Sequence, residues 1–118
     1  MKVSSCYSIF GFPSMETALK VYVDILGCKV LHQIEFPGHK YCVVEDANGN
    51  RTDLITGDNA ETGFYGLRVN VDDFDEALNS FLAAGCKKAY GPFDLPSAKL
   101  ASLVSPGGIN VALFYHKK

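Results

Sequence analysis

The sequence predicts an α+β domain made of two successive βαβββ units, residues 1–58 and 59–118, whose strands form a curved mixed sheet with the helices on its outer face. Three observations carry this prediction. A five-residue apolar stripe at helical spacing occurs twice, as Met15, Ala18, Leu19, Tyr22 and Val23 and again as Phe74, Ala77, Leu78, Phe81 and Leu82, each member of the second 59 residues beyond its counterpart. One strand-like stretch precedes each stripe and three follow it. Scattered identities keep the same offset: Pro37 with Pro96, Lys40 with Lys99, Gly49 with Gly108, Leu54 with Leu113.

The elements follow in order. A first strand is expected at about 5–12. Ser14 is placed to cap the first helix and Gly27 to end it, glycine being the residue that tolerates the left-handed turn there. Strands are expected at about 28–35, 39–46 and 50–56, with Asn48-Gly49 as a tight hairpin signal between the last two. The boundary between units falls near Gly57 to Glu61. The second unit repeats the order, with a strand at about 64–71. Asp73 caps the second helix, with Glu76 in capping-box position, and Gly85 ends it. Strands at about 86–91, 99–105 and 109–116 complete the unit, with Gly107-Gly108 at the last turn. One helix per four strands excludes a doubly wound parallel sheet. The main rival, a ferredoxin-like βαββαβ sandwich, has no place for two of the strands.

Composition sets the outer limits. The chain has 118 residues, the size of one domain, with 47% hydrophobic and 20% charged residues, a globular balance. A net charge of -2 supplies no basic excess for nucleic acid. No apolar run approaches the roughly 18 residues of a membrane span, and Met1-Lys2-Val3-Ser4-Ser5 leads into no signal-type apolar core. A cytoplasmic location is expected. Cys6, Cys28, Cys42 and Cys86 form no CxxC pair and lie in or beside apolar stretches, so reduced and mostly buried thiols are expected, with Cys42 the one place for a reactive thiol.

Strand alternation assigns two faces. Leu67, Val69 and Val71 form an apolar face for the helix, while Gly66, Arg68 and Asn70 face away. By the repeat, Tyr7, Ile9 and Gly11 face away in the first strand. The last strands add Arg51, Asp53 and Ile55 in one unit and Asn110, Ala112, Phe114 and His116 in the other. A curved sheet with that mixed inner face suits a ligand cup.

Paired βαβββ units resemble the vicinal oxygen chelate superfamily of glyoxalase I, bleomycin-resistance proteins, extradiol dioxygenases and methylmalonyl-CoA epimerase. The resemblance spans the whole chain. It rests most on Ala18-Leu19 through Tyr22 to Leu26-Gly27-Cys28-Lys29-Val30, on Val71-Asp72-Asp73-Phe74-Asp75-Glu76-Ala77, and on Gly91-Pro92 and Ser105-Pro106-Gly107-Gly108. The resemblance implies a metal held by one residue from the first and last strand of each unit. Carried onto this chain, those positions are Tyr7, Asp53, Gly66 and Ala112, which the 59-residue repeat also pairs. A divalent metal needs imidazole and carboxylate ligands. One carboxylate, one phenol, a glycine and an alanine are too few, so no metal and no cofactor are expected.

The candidate ligand-binding residues are therefore Tyr7, Ile9, Arg51, Asp53, Arg68, Asn70, Asn110 and Phe114. Asp53 is either a ligand contact or base, or the partner of Arg68 or Arg51. Arg68 either binds a carboxylate or phosphate with its fork or neutralises Asp53. Tyr7 either hydrogen-bonds a ligand or fills space. His39, in the Pro37-Gly38-His39 turn, and His116, near the end of the chain, are expected to be solvated. The resulting expectation is a metal-independent protein that binds a small, anionic or aromatic molecule and pairs as a homodimer, with no nucleic-acid or membrane partner. Two other functions stay open: a lyase or isomerase using Asp53 and Arg68 or a relocated metal, and a structural or regulatory module with a vestigial cup.

Overall fold

The computed structural model describes residues 2–58 and 60–117. It divides into two compact units, one within Tyr7–Tyr65 and the other of residues 66–117 together with residues 2–6. The opening strand is thus shared: its first part belongs with the second unit and its later part with the first.

The first unit contains β1 (Val3–Gly11), helix α1 (Met15–Leu19) continuing as a π-helical segment Lys20–Ile25, then β2 (Lys29–Phe36), β3 (His39–Glu45) and β4 (Arg51–Gly57). β4 pairs antiparallel with β3 and parallel with β1, and β3 pairs antiparallel with β2. The second contains β5 (Gly63–Val71), whose first three residues lie in the first unit, α2 (Phe74–Ala83), β6 (Lys87–Asp94), β7 (Ala98–Val104) and β8 (Asn110–His116). β8 pairs parallel with β5 and antiparallel with β7, which pairs antiparallel with β6. The parallel registers show the duplication directly. Ile9 lies opposite Asp53, and the residues 59 further on, Arg68 and Ala112, lie opposite each other. The expected βαβββ order is present in both halves.

Both helices begin as their caps dictate. The Ser14 hydroxyl accepts from the Thr17 N–H at 3.1 Å, and the Asp73 carboxylate accepts from the Glu76 N–H at 3.1 Å. α2 is regular and buries Phe74 and Ala77 against Val69, Val71, Ala101, Leu103, Val111 and Leu113, with Leu78, Phe81 and Leu82 half-buried at the rim. α1 departs from expectation. After Leu19 the backbone widens, and Leu26 N–H donates to Val21 C=O at 3.0 Å, five residues back. Val21, Val23 and Ile25 are β-branched and crowd a tight α-turn, which lowers the cost of leaving it. Ala18 is buried, and Met15, Leu19 and Tyr22 pack on Cys42, Val44 and Leu54, whereas Val23 lies outside that cluster. The stripe read at regular α spacing therefore holds for four of its five members.

Candidate functional site

In the second unit, the face away from α2 is built by β5 and β8. Their register sets Gly66 against Asn110, Arg68 against Ala112 and Asn70 against Phe114. Arg68 has no exposed surface. Its Nε donates to Asn70 Oδ1 at 3.0 Å, and Asn70 Nδ2 donates in turn to Ser5 Oγ at 2.8 Å. The guanidinium carbon lies 3.8 Å from the centre of the Phe114 ring, so the cation sits on the negative face of the π system. Arg68 Nη2 contacts His116 Nε2. A guanidinium only donates, so His116 Nε2 accepts and the imidazole is neutral, with its proton on Nδ1. His116 is exposed, as expected, and its ring also contacts Arg68 and lies near Phe114, with ring centres 6.0 Å apart.

In the first unit, the corresponding face carries Ile9, Tyr41, Val43, Asp53 and Ile55, all essentially without exposed surface. Tyr7 is half-buried. Arg51 is at the exposed start of β4, where its Nε meets Glu45 Oε2 at 3.2 Å. Asn110 is half-buried at the start of β8. The structure thus brings Arg68, Asn70 and Phe114 together, adds Ser5 and His116 to them, and sets Arg51 on a carboxylate of the neighbouring strand.

Two expectations are corrected. His39 is buried, not solvated: its Nε2 donates to the Asp58 carbonyl at 2.7 Å and its ring stacks on Phe36 with centres 5.0 Å apart. Of the thiols, which are all free, Cys42 alone is buried, while Cys28 and Cys86 are half-buried and Cys6 is exposed. Burial first, and the Asp53 charge second, push the Cys42 thiol up, which suppresses the thiolate and removes the ground for a reactive cysteine there.

The donor positions can be tested against a metal. Asp53 offers a buried carboxylate and Tyr7 a phenol, a poor ligand with a pKa near 10. Ala112 is buried with no donor. Gly66 is more restrictive still: a Cβ built on it would lie 2.2 Å from the Asn110 carbonyl oxygen, so the chain has closed over the place where a ligating side chain would start. The residues present do not fit a divalent cation, and the guanidinium of Arg68 lies beside Ala112 in register.

The model of the Glyoxalase/Bleomycin resistance protein/Dioxygenase superfamily matches residues 10–113. The chain belongs to that superfamily. Solved structures agree in fold. Methylmalonyl-CoA epimerase from Mycobacterium tuberculosis superposes with a TM-score of 0.76 at 15% identity, covering 98% of this chain and 90% of that one. A hypothetical protein of Bacillus halodurans gives 0.70 at 18%, covering 98% and 97%. A Streptomyces coelicolor methylmalonyl-CoA epimerase in complex with 2-nitronate-propionyl-CoA gives 0.69 at 13%, covering 94% and 95%. No curated protein sequence matches the chain. His116 and Ser5 are the members of the Arg68 cluster that sequence reasoning left out. Strand parity did place His116 on the working face, but its distance from the other polar residues along the chain hid the contact.

Proposed function

We propose that this member of the superfamily binds a small organic molecule without a metal, on the sheet face away from the helices, with Arg68, Asn70 and Phe114 as the recognition centre. The observation that carries this is the Arg68 cluster: a wholly buried guanidinium held by Asn70 and His116 on the face of Phe114, beside two positions that offer no metal donor. Holding a cation out of water is costly, and a cluster that does so in fixed geometry suits recognition of a carboxylate or an aromatic acid. The protein would act in the cytoplasm as a homodimer and without a resident cofactor. No helix is long and apolar enough to cross a membrane among the described residues.

The test is a titration of the isotopically labelled chain with small carboxylates and coenzyme A thioesters in the presence of a chelator. Saturable amide shifts at Arg68, Asn70 and Phe114, reduced in Asn70→Ala, are expected. Shifts confined to other residues would overturn the proposal. So would stoichiometric zinc or nickel binding lost in Asp53→Ala.

A second function has its own support. The fold is shared with methylmalonyl-CoA epimerases, which favours an isomerase-type enzyme in which Asp53 moves a proton and Arg68 holds an anionic group. Turnover of a coenzyme A thioester abolished in Asp53→Asn would move this function to first place. The complete burial of Ile9 and Phe114 favours a third, a structural module whose cup is filled. Absence of any saturable ligand would select it.

A further inference from the structure

The first unit holds a second opening, on the face of its sheet that α1 covers, and it shares no residue with the Arg68 cluster. A crevice of about 270 Å³ lies between the end of the π-helical segment and the β3–β4 turn. Its floor is Val44 and Thr52, directly opposite each other in register. Tyr22, Leu26 and Cys28 wall it on the helix side, and Asp46 and Asn50 on the turn side. Tyr22, Cys28 and Val44 belong to one apolar cluster, so floor and helix wall share a face. At about 30 Å³ for each water-sized group, the space takes roughly nine such groups.

The internal repeat shows what is unusual about this place. Both helices end on the same kind of bond. Cys86 N–H donates to Phe81 C=O, five residues back, at 3.1 Å, and Cys28 N–H donates to Tyr22 C=O, six residues back, at 2.8 Å. The first helix therefore fits one residue more into its last turn, and that turn widens to hold it. Single widened turns of this kind are frequent at functional sites. Here the widened turn leaves Leu26 59% exposed beside the crevice.

The turn differs as well. Asp46 Oδ1 accepts from the N–H groups of Asn48 and Asn50 at 2.8 and 2.9 Å. In the second unit the Ser105 hydroxyl fills the matching role, accepting from Ile109 N–H at 3.2 Å. A neutral hydroxyl is enough to hold such a turn, so the charge of Asp46 is surplus to the turn's needs. The cations on the flanking strands, Lys29 and Arg51, both turn to Glu45 instead. Asp46 Oδ2 accepts one long bond, from Asn50 Nδ2 at 3.2 Å. A carboxylate oxygen has two lone pairs, so Oδ2 has a place for another donor. Asp46 is the one charged residue lining the crevice, and the C-terminal end of the helix adds negative potential on the facing wall. The crevice therefore combines an apolar floor with a single negative pole.

We propose that this crevice binds a small primary ammonium ion with an apolar body, the chemistry of an arylalkylamine. The ammonium donates to Asp46 Oδ2, and the body lies on Val44 between Tyr22 and Leu26.

Titration of the full chain, followed by amide chemical shifts, tests this with three probes: 2-phenylethylamine, its neutral counterpart 2-phenylethanol, and methylammonium, which has the charge without the body. Saturable shifts at Tyr22, Leu26, Cys28 and Thr52 are expected with the amine, binding about tenfold weaker with the alcohol, and no saturation with methylammonium up to about 10 mM. Asp46→Asn, which keeps an oxygen acceptor for the turn, should bring the amine down to the alcohol's affinity and leave the alcohol unchanged. Asp46→Ser, the second unit's own solution, should do the same. Leu26→Ser should weaken amine and alcohol alike. The spectrum of each variant reports whether the fold is kept, and the comparison of amine with alcohol needs no variant. Equal binding of amine and alcohol, amine shifts confined to other residues, or unchanged amine binding in folded Asp46 variants would overturn the proposal. A failure at Arg68 and Asn70 leaves it standing, because the two sites share no residue.

Discussion

Ala112 and Gly66 lack a metal donor for different reasons. Ala112 is a side chain too short to ligate, and its neighbour in register is a cation. Gly66 has no room for a side chain, because its α-carbon is pressed against the Asn110 carbonyl. Restoring a ligand at residue 66 therefore requires the two strands to part. Gly66→Ala is expected to destabilise by roughly 1–3 kcal/mol, the range for overpacking a close contact, read from urea midpoints. A change within about 0.5 kcal/mol would show that the strands yield easily. The thiols make a second test at this scale. A thiol reagent counts four free groups after denaturation, and in the native protein Cys6 reacts first and Cys42 last, since Cys6 is exposed while burial and Asp53 hold Cys42 in its thiol form. Early modification of Cys42 would contradict both the burial and the shift.

At the scale of elements, the two helices differ in how much they hold. α2 buries Phe74 and Ala77 in a cluster of strand residues from β5, β7 and β8, while the rest of its apolar face is half-buried. Phe74→Ala should cost roughly 3–5 kcal/mol, and Leu78→Ala less, toward the lower end of the 2–5 kcal/mol range for core leucines. The reverse order, measured by denaturation, would mean that the helix is rotated. The β3–β4 hairpin gives a pH-dependent test. The Asp46 carboxylate accepts from the backbone N–H groups of Asn50 and Asn48, and these bonds, the Asn50 one foremost, hold it below the usual carboxylate value. A carboxyl lowered by folding adds stability above its unfolded value of about 3.9 and loses it as pH falls through the folded value. Stability should therefore drop as pH falls below about 4, and Asp46→Asn should flatten part of that drop. An identical profile in the variant would remove Asp46 from the account.

What the sequence showed at this scale, and what it hid, follows from the range of the interactions. The stripe from Phe74 to Leu82, the caps Ser14 and Asp73, and the 59-residue register were legible because each rests on neighbours in the chain or on strict alternation. The π-helical segment was not, because its apolar residues fit an α stripe and only its Val21, Val23 and Ile25 crowding hinted otherwise. His39 was misjudged because a turn is exposed unless something distant covers it, and its partner, the Asp58 carbonyl, lies beyond the two following strands. His116 is exposed as its place at the strand end implies, and only its contact with Arg68, far along the chain, was hidden. Arg68, Asn70 and Phe114 were found because parity put them on one face. Arg51 shares that parity in its own strand, but its position at the strand's start gave Glu45 the closer claim.

For the whole molecule, the shared first strand bears on whether either half stands alone. A chain of about 60 residues buries only about 60% of its unfolded surface and is marginal by itself. Cutting at the sequence boundary, between residues 58 and 59, makes both pieces worse than marginal. The fragment 59–118 loses Lys2, whose N–H donates to Asp72 Oδ1 at 2.8 Å and whose carbonyl accepts from Asp72 N–H at 3.1 Å. It also loses Ser5, the acceptor that holds Asn70 and through it Arg68. Arg68 is then left as a buried cation with a loosened scaffold, which favours unfolding. The fragment 1–58 loses Phe64, whose ring meets Phe10 edge to face with centres 6.0 Å apart. It also loses Glu61, whose carbonyl packs onto Gly11 so closely that a Cβ there would lie 2.0 Å from it. Each half is therefore expected to give a poorly dispersed amide spectrum when expressed alone, and the intact chain to unfold in one transition. Moving the cut so that residues 1–6 stay with 66–118 through a flexible linker should improve the second fragment more than any equal addition to the first. A well-dispersed, cooperatively melting 1–58 would show that the repeat is two independent domains in one chain.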